Sequence, residues 1–157
     1  MIVALQIIAA YILADALSGL YHALTDKGLN IKSQIEMFQE HHVTNTMTGF
    51  DWQTFAGGMP IAILGAWFHS AFAVALGCFI ALTQVTHYYA HRRSHSRLVR
   101  HLVGLLQECR IIVHPRLHQR HHGGAFDRDY CLLSGWNNWW MNRAISLFHF
   151  NAVEYYR

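Results

Sequence analysis

The chain has 157 residues, the size of a single domain, and it is 53% hydrophobic but only 13% charged, against roughly 25% charged in an ordinary soluble domain. That balance excludes a disordered chain, a coiled coil and a nucleic-acid-binding module, so no nucleic-acid partner is expected. Thirteen histidines outnumber the 12 lysines and arginines while the formal net charge is only +3, so histidine serves chemistry rather than charge.

From Met1 to Thr25 the only formal charge is Asp15, and the apolar run is long enough for the ~20 residues that cross a bilayer as a helix. A first membrane helix is expected over about residues 1–25. Met1 is followed directly by Ile2-Val3-Ala4-Leu5, without the basic start and small-residue cleavage site of a signal peptide, so this segment is expected to stay in the mature chain. Within it Asp15, Gly19, His22 and Asp26 recur at i, i+4, i+7 and i+11, which puts them on one stripe that faces protein.

A second stretch, Trp52 to Ala90, has no Asp, Glu, Lys or Arg. It can be read as one long helix starting at Pro60, a residue suited to a first helical turn. That reading would carry His87 and His91 to the membrane face opposite His22, His41 and His42, about 30 Å away. A hairpin over about residues 50–91, turning near Trp67-Phe68-His69-Ser70, returns them to the same face and is preferred. Beyond it, Arg92, Arg93, His95, Arg97, Arg100 and His101 form a basic juxtamembrane cluster, typical of the cytoplasmic side. Residues 97–113 read as an amphipathic helix suited to a membrane interface, with Leu98, Val99, Leu102, Leu105, Leu106 and Cys109 on one side. The part up to residue 157 has turn chemistry at Gly123-Gly124 and headgroup-level tryptophans, Trp136, Trp139 and Trp140. The expected fold class is all-α: one membrane-embedded helical domain over 1–157 with a histidine-rich metal site on the cytoplasmic face. Three short membrane segments bury little surface, which leaves room for a homo-oligomer.

Histidines gather beside these apolar segments. His118-x-x-His121-His122 projects three rings from one side of a helix, His87-x-x-x-His91 repeats the i, i+4 spacing, and Glu40-His41-His42 adds a pair. Neutral imidazole suits iron, zinc and copper. The cysteines Cys78, Cys109 and Cys131 lie 31 and 22 residues apart and form no CxxC pair, so a thiolate site is not expected. With His22 the motifs supply eight ligands, too many for one zinc and suited to two ions, and a histidine-rich, carboxylate-poor pair points to dioxygen activation on unreactive C–H bonds. Asp15 and Asp26 are expected to orient ligand rings through their second nitrogens. His69, His95, His101, His114 and His149 are read as ordinary polar residues.

The run Asp15-Ala-Leu-Ser-Gly-Leu-Tyr-His22-Ala-Leu-Thr-Asp26, then Phe38-Gln-Glu-His41-His42, Gln84-Val-Thr-His87-Tyr-Tyr-Ala-His91, Leu106-Gln107 and Pro115-Arg-Leu-His118-Gln-Arg-His121-His122 resembles the lipid desaturase domain of the Kua and plasmanylethanolamine desaturase group. Tyr130-Cys131 and Gly135-Trp136-Asn137 continue the resemblance. It implies an integral membrane, dioxygen-dependent desaturase. His22, His41, His42, His87, His91, His118, His121 and His122 would bind two iron ions, and an external electron donor such as cytochrome b5 or ferredoxin would serve them. The substrate would be a lipid alkyl or acyl chain, desaturated to a vinyl ether or an unsaturated acyl group. The competing readings are a di-iron hydroxylase or oxygenase on a small or carrier-bound substrate, and a non-enzymatic metal- or haem-binding membrane protein.

Overall fold

A computed structural model describes residues 1–30, 32–45, 52–92, 96–123 and 127–147, apart from the side chains of residues 53 and 54. Among the described residues seven helices follow in order: α1 (Ile2–Asp26), α2 (Lys32–Thr44), α3 (Trp52–Trp67), α4 (Ala71–His91), α5 (Arg97–Glu108), α6 (Pro115–His122) and α7 (Asn138–Leu147). No strand occurs among the described residues. Among the described residues two helices, α1 and α4, are long and apolar enough to cross a membrane.

The apolar stretch from Trp52 to His91 is two helices, not one. Pro60 lies inside α3 and not at its start. The reversal is made by His69 in the left-handed region (φ 54°), with its N–H bonded to Ala66 O, followed by Ser70, whose Oγ accepts the Ala73 N–H and caps α4. The two helices approach backbone to backbone. A Cβ on Gly58 would strike Gly77 O, and one on Gly77 would strike the Ala62 backbone. Small residues at these positions allow the close contact on which apolar helices without a polar interface depend.

α1 and α4 pack along each other, and their C-terminal ends carry His22, Asp26, His87 and His91. The stripe on α1 is buried as its spacing implies, with Asp15 and His22 at 0% exposure and Gly19 and Asp26 also buried. Leu13, Leu17 and Leu20 on its opposite side are exposed, as are Ile2, Val3, Leu5, Ile8 and Ile12 toward its N-terminal end.

α5 stops at Glu108, short of the expected Val113. Arg110 turns the chain in the left-handed region (φ 54°), and Ile112 and Val113 are drawn into the core, where the Val113 N–H bonds Leu133 O at 2.7 Å. Burial of two β-branched side chains outweighs continuing the helix. Leu98, Leu102 and Leu105 on α5 stay exposed. The non-helical run Asp129–Gly135 threads between α1, α4 and α7: Leu132 N–H donates to Ser18 Oγ, Cys131 N–H to Asn138 Oδ1, and Thr86 Oγ1 bonds Leu132 O.

Candidate metal centre

Four helices deliver the ligand-type side chains, and helical geometry decides which of them meet. On α6, His118 and His122 are four apart and share a direction, whereas His121 is turned about 60° from His118 and about 100° from His122. On α2, the neighbours His41 and His42 likewise diverge. The result is two adjacent groups. His41, His91, His118 and His122 form one, and His22, Asp26, His42 and His121 the other, each with ligand atoms within 4.8 Å of one another. His87 joins the first, its Nε2 3.1 Å from that of His41 and 3.0 Å from that of His118. The structure therefore brings together His22, His41, His42, His87, His91, His118, His121 and His122.

The spacing fits metal ligation. The Nε2 of His118 has three other imidazole nitrogens around it, those of His91 at 2.6 Å, His87 at 3.0 Å and His122 at 3.0 Å. A single ring nitrogen cannot exchange protons with three partners at once. Nitrogens that bind one ion at about 2.1 Å and at right angles lie about 3.0 Å apart. In the second group His42 and His121 are 3.1 Å apart at Nε2. There both Asp26 carboxylate oxygens are buried with no hydrogen-bond partner, and they lie 3.5, 3.6 and 3.2 Å from Nε2 of His22, His42 and His121. A sealed carboxylate facing three imidazoles has the chemistry of a metal ligand.

Burial, with the neighbouring rings as the lesser cause, holds His42, His118 and His122 well below the ordinary imidazole range. The neutral ring, with its lone pair available, is the form that binds metal. The ring orientations are set by backbone. His22 Nδ1–H donates to Tyr130 O at 3.1 Å and His121 Nδ1–H to Arg128 O at 2.7 Å, which turns each Nε2 lone pair inward. Phe38 and Tyr130, both buried, lie edge-on to His22, with centroids 5.0 and 5.9 Å away, and exclude water.

These contacts correct two expectations about the carboxylates. Asp15 orients no ring: it accepts the backbone N–H groups of Ser134, Gly135 and Asn137 at 2.7, 3.0 and 3.0 Å, and Asn137 Nδ2–H at 3.0 Å. Two turns before His22 on α1, it is too far along the helix to reach the rings. Asp26 sits against the ligand nitrogens themselves, not behind them. Sequence reasoning missed the carbonyls of Arg128 and Tyr130, although Tyr130-Cys131 already stood in the motif. Of the remaining histidines, His114 caps α6 by accepting the Arg116 N–H at Nδ1 (3.1 Å), and His69 and His101 are exposed. His95 and His149 lie outside the described residues, as do Arg93 and Gly124.

Residues 11–155 match the lipid desaturase domain. The chain is 29% identical over 165 residues to plasmanylethanolamine desaturase of Myxococcus xanthus, covering 92% of this chain and 56% of that protein. It is 33% identical over 148 residues to the chloroplastic fatty acid desaturase 4 of Arabidopsis thaliana, covering 83% of this chain and 45% of that protein. A chloroplastic fatty acid desaturase 4-like protein of the same plant is 32% identical over 152 residues, covering 85% of this chain and 50% of that protein. The chain thus spans about half the length of the curated relatives it matches. No solved structure matches it. A domain match running almost from end to end makes this chain a member of the lipid desaturase domain family.

Proposed function

We propose that the chain is a membrane-embedded non-haem di-iron desaturase acting on an alkyl or acyl chain of a lipid. The observation that carries the reading is the division of eight histidines and Asp26 into two adjacent ligand groups, one fully buried and the other half-buried at His91 and His122. Relatives named as desaturases support the reaction class. Two irons held by these residues supply, when bound, the activation of dioxygen needed to attack an unreactive C–H bond. In balance, dioxygen, two electrons and two protons from an external one-electron donor, and two hydrogens from adjacent carbons give one C=C bond and two waters.

The residues of the chain bind, orient and exclude. His41, His87, His91, His118 and His122 would hold one ion, and His22, Asp26, His42 and His121 the other. Arg128 O and Tyr130 O fix two ring tautomers, and Phe38 closes the site from one side. We place α1 and the α3–α4 hairpin in the bilayer, α5 with its exposed leucines at the interface, and the histidine-bearing end on the cytoplasmic side. Arg92, Arg97, Arg100, Arg116 and Arg120 accompany that end and support this orientation.

Lipids extracted from cells expressing the chain under ¹⁸O-labelled dioxygen test the reaction. The expected product is a lipid two mass units lighter without ¹⁸O. Product carrying ¹⁸O would establish hydroxylation instead.

A further inference from the structure

α7 contributes none of the ligand-type side chains, yet it is tied to two of them. Asn138 and Asn142 are four residues apart and share one face of the helix. Asn142 Oδ1 accepts the Asp129 N–H at 2.9 Å, and Asn138 Oδ1 accepts the Cys131 N–H at 2.9 Å. The C=O of one residue and the N–H of the next belong to the same planar trans peptide group and point in opposite directions. The group that gives its N–H to Asn142 is therefore the one whose oxygen, Arg128 O, accepts from His121 Nδ1 at 2.7 Å. The group that gives its N–H to Asn138 carries Tyr130 O, which accepts from His22 Nδ1 at 3.1 Å. Two peptide groups thus stand between two asparagines on one side and two imidazoles on the other.

Each chain of bonds runs in one direction. The asparagine oxygen accepts, the peptide N–H donates and the peptide oxygen accepts, so the imidazole donates from Nδ1 and presents the lone pair of Nε2. A peptide group whose N–H is engaged is polarised, which makes its oxygen the stronger acceptor, and an imidazole that donates to a stronger acceptor is the better metal ligand. Asp129 joins the two groups. It is 4% exposed, its φ of 61° lies in the left-handed region that is uncommon for a residue with a Cβ, and its Oδ2 meets Arg120 Nε at 3.1 Å. One constrained residue therefore sets the angle between the two peptide groups. The other ligand group has no such support at His118, whose Nδ1 is buried without a hydrogen-bond partner among the described residues.

We propose that Asn138 and Asn142 are positioning residues for the ion held by His22, Asp26, His42 and His121. They act through the 128–129 and 130–131 peptide groups, and α7 thereby supports this site and not the other. The inference rests on the reading of the histidine cluster as a metal centre and is independent of the reaction carried out there.

The test uses the full chain in detergent, purified with its metal and equilibrated with graded concentrations of a chelator, and counts the ions retained per chain. Asn142→Leu removes the acceptor. It is expected to release one ion at about tenfold lower chelator, the lower end of the range for losing a group that orients a ligand, with the other ion retained as before. Asn142→Asp, which keeps an acceptor oxygen in place, is expected to restore retention. Asn138→Ala acts on the second peptide group and is expected to loosen the same single ion. In a His121→Ala background, where that site is already disabled, adding Asn142→Leu is expected to leave retention of the surviving ion unchanged. A general loosening of the fold would weaken both ions alike, and that result would overturn the inference. So would retention that no asparagine substitution changes, or a failure of Asn142→Asp to restore what Asn142→Leu removes. A single ion per chain in the unsubstituted protein would contradict the two-ion reading. The role of the asparagines then stands if Asn142→Leu loosens that ion and falls if it does not.

Discussion

Asp15 and Asp26 lie eleven residues apart on one stripe of α1, yet the fold uses them differently. Asp15 binds the 134–137 turn, and Asp26 faces three imidazoles without a hydrogen bond. Asp26→Asn is therefore expected to lower metal content to about one ion per chain. Asp15→Asn should leave metal content intact and lower thermal stability by about 1–3 kcal/mol, because a buried acceptor of four hydrogen bonds gains an N–H where it needs lone pairs. Metal analysis and thermal unfolding of both variants in detergent separate the two roles. Cys131 is buried, and burial pushes its thiol up, whereas Cys78 and Cys109 are exposed. Mass spectrometry after alkylation of the folded protein in detergent should find Cys109 labelled and Cys131 intact. The histidines were legible in the sequence because i, i+3 and i+4 spacings fix their directions on a helix. The division of labour between the carboxylates was not, because it depends on residues 128–137, more than 100 positions along the chain, whose placement no local pattern encodes.

At the scale of elements, the α3–α4 hairpin brings His87 and His91 back to the same end as His22. The need for one shared site argued for two helices over 50–91, and the structure has two. Pro60 misleads as a start signal because its missing N–H is tolerated inside α3. The contact between the two helices depends on glycine at 58 and 77, so Gly77→Leu is expected to force them apart at a cost of about 2–3 kcal/mol or more, seen as a lower unfolding temperature. Metal binding should weaken with it, since α4 carries two of the proposed ligands. The amphipathic pattern of α5 was legible, but its end was not. Ile112 and Val113 continue the apolar pattern, and only burial beside Leu133 turns them inward. In intact spheroplasts a membrane-impermeant maleimide should leave Cys109, just past α5, unlabelled, and in inverted vesicles it should label it. The reverse pattern would place the histidine-bearing end outside.

For the whole molecule, α1, α2, α4 and α6 converge on one largely buried cluster beneath an exposed apolar surface. The cluster lies where the apolar lengths of α1 and α4 give way to the arginines of α5 and α6, a natural place for the proposed site, which would meet both a hydrocarbon chain and an external electron donor. The central claim is that this cluster is two metal sites and not one. It is tested most directly by counting iron in protein purified without chelator, alongside His121→Ala and His122→Ala. These neighbours on α6 point into different groups. The account predicts about two irons per chain in the unsubstituted protein and about one in each variant. A single zinc, or a metal content that neither substitution changes, would contradict it.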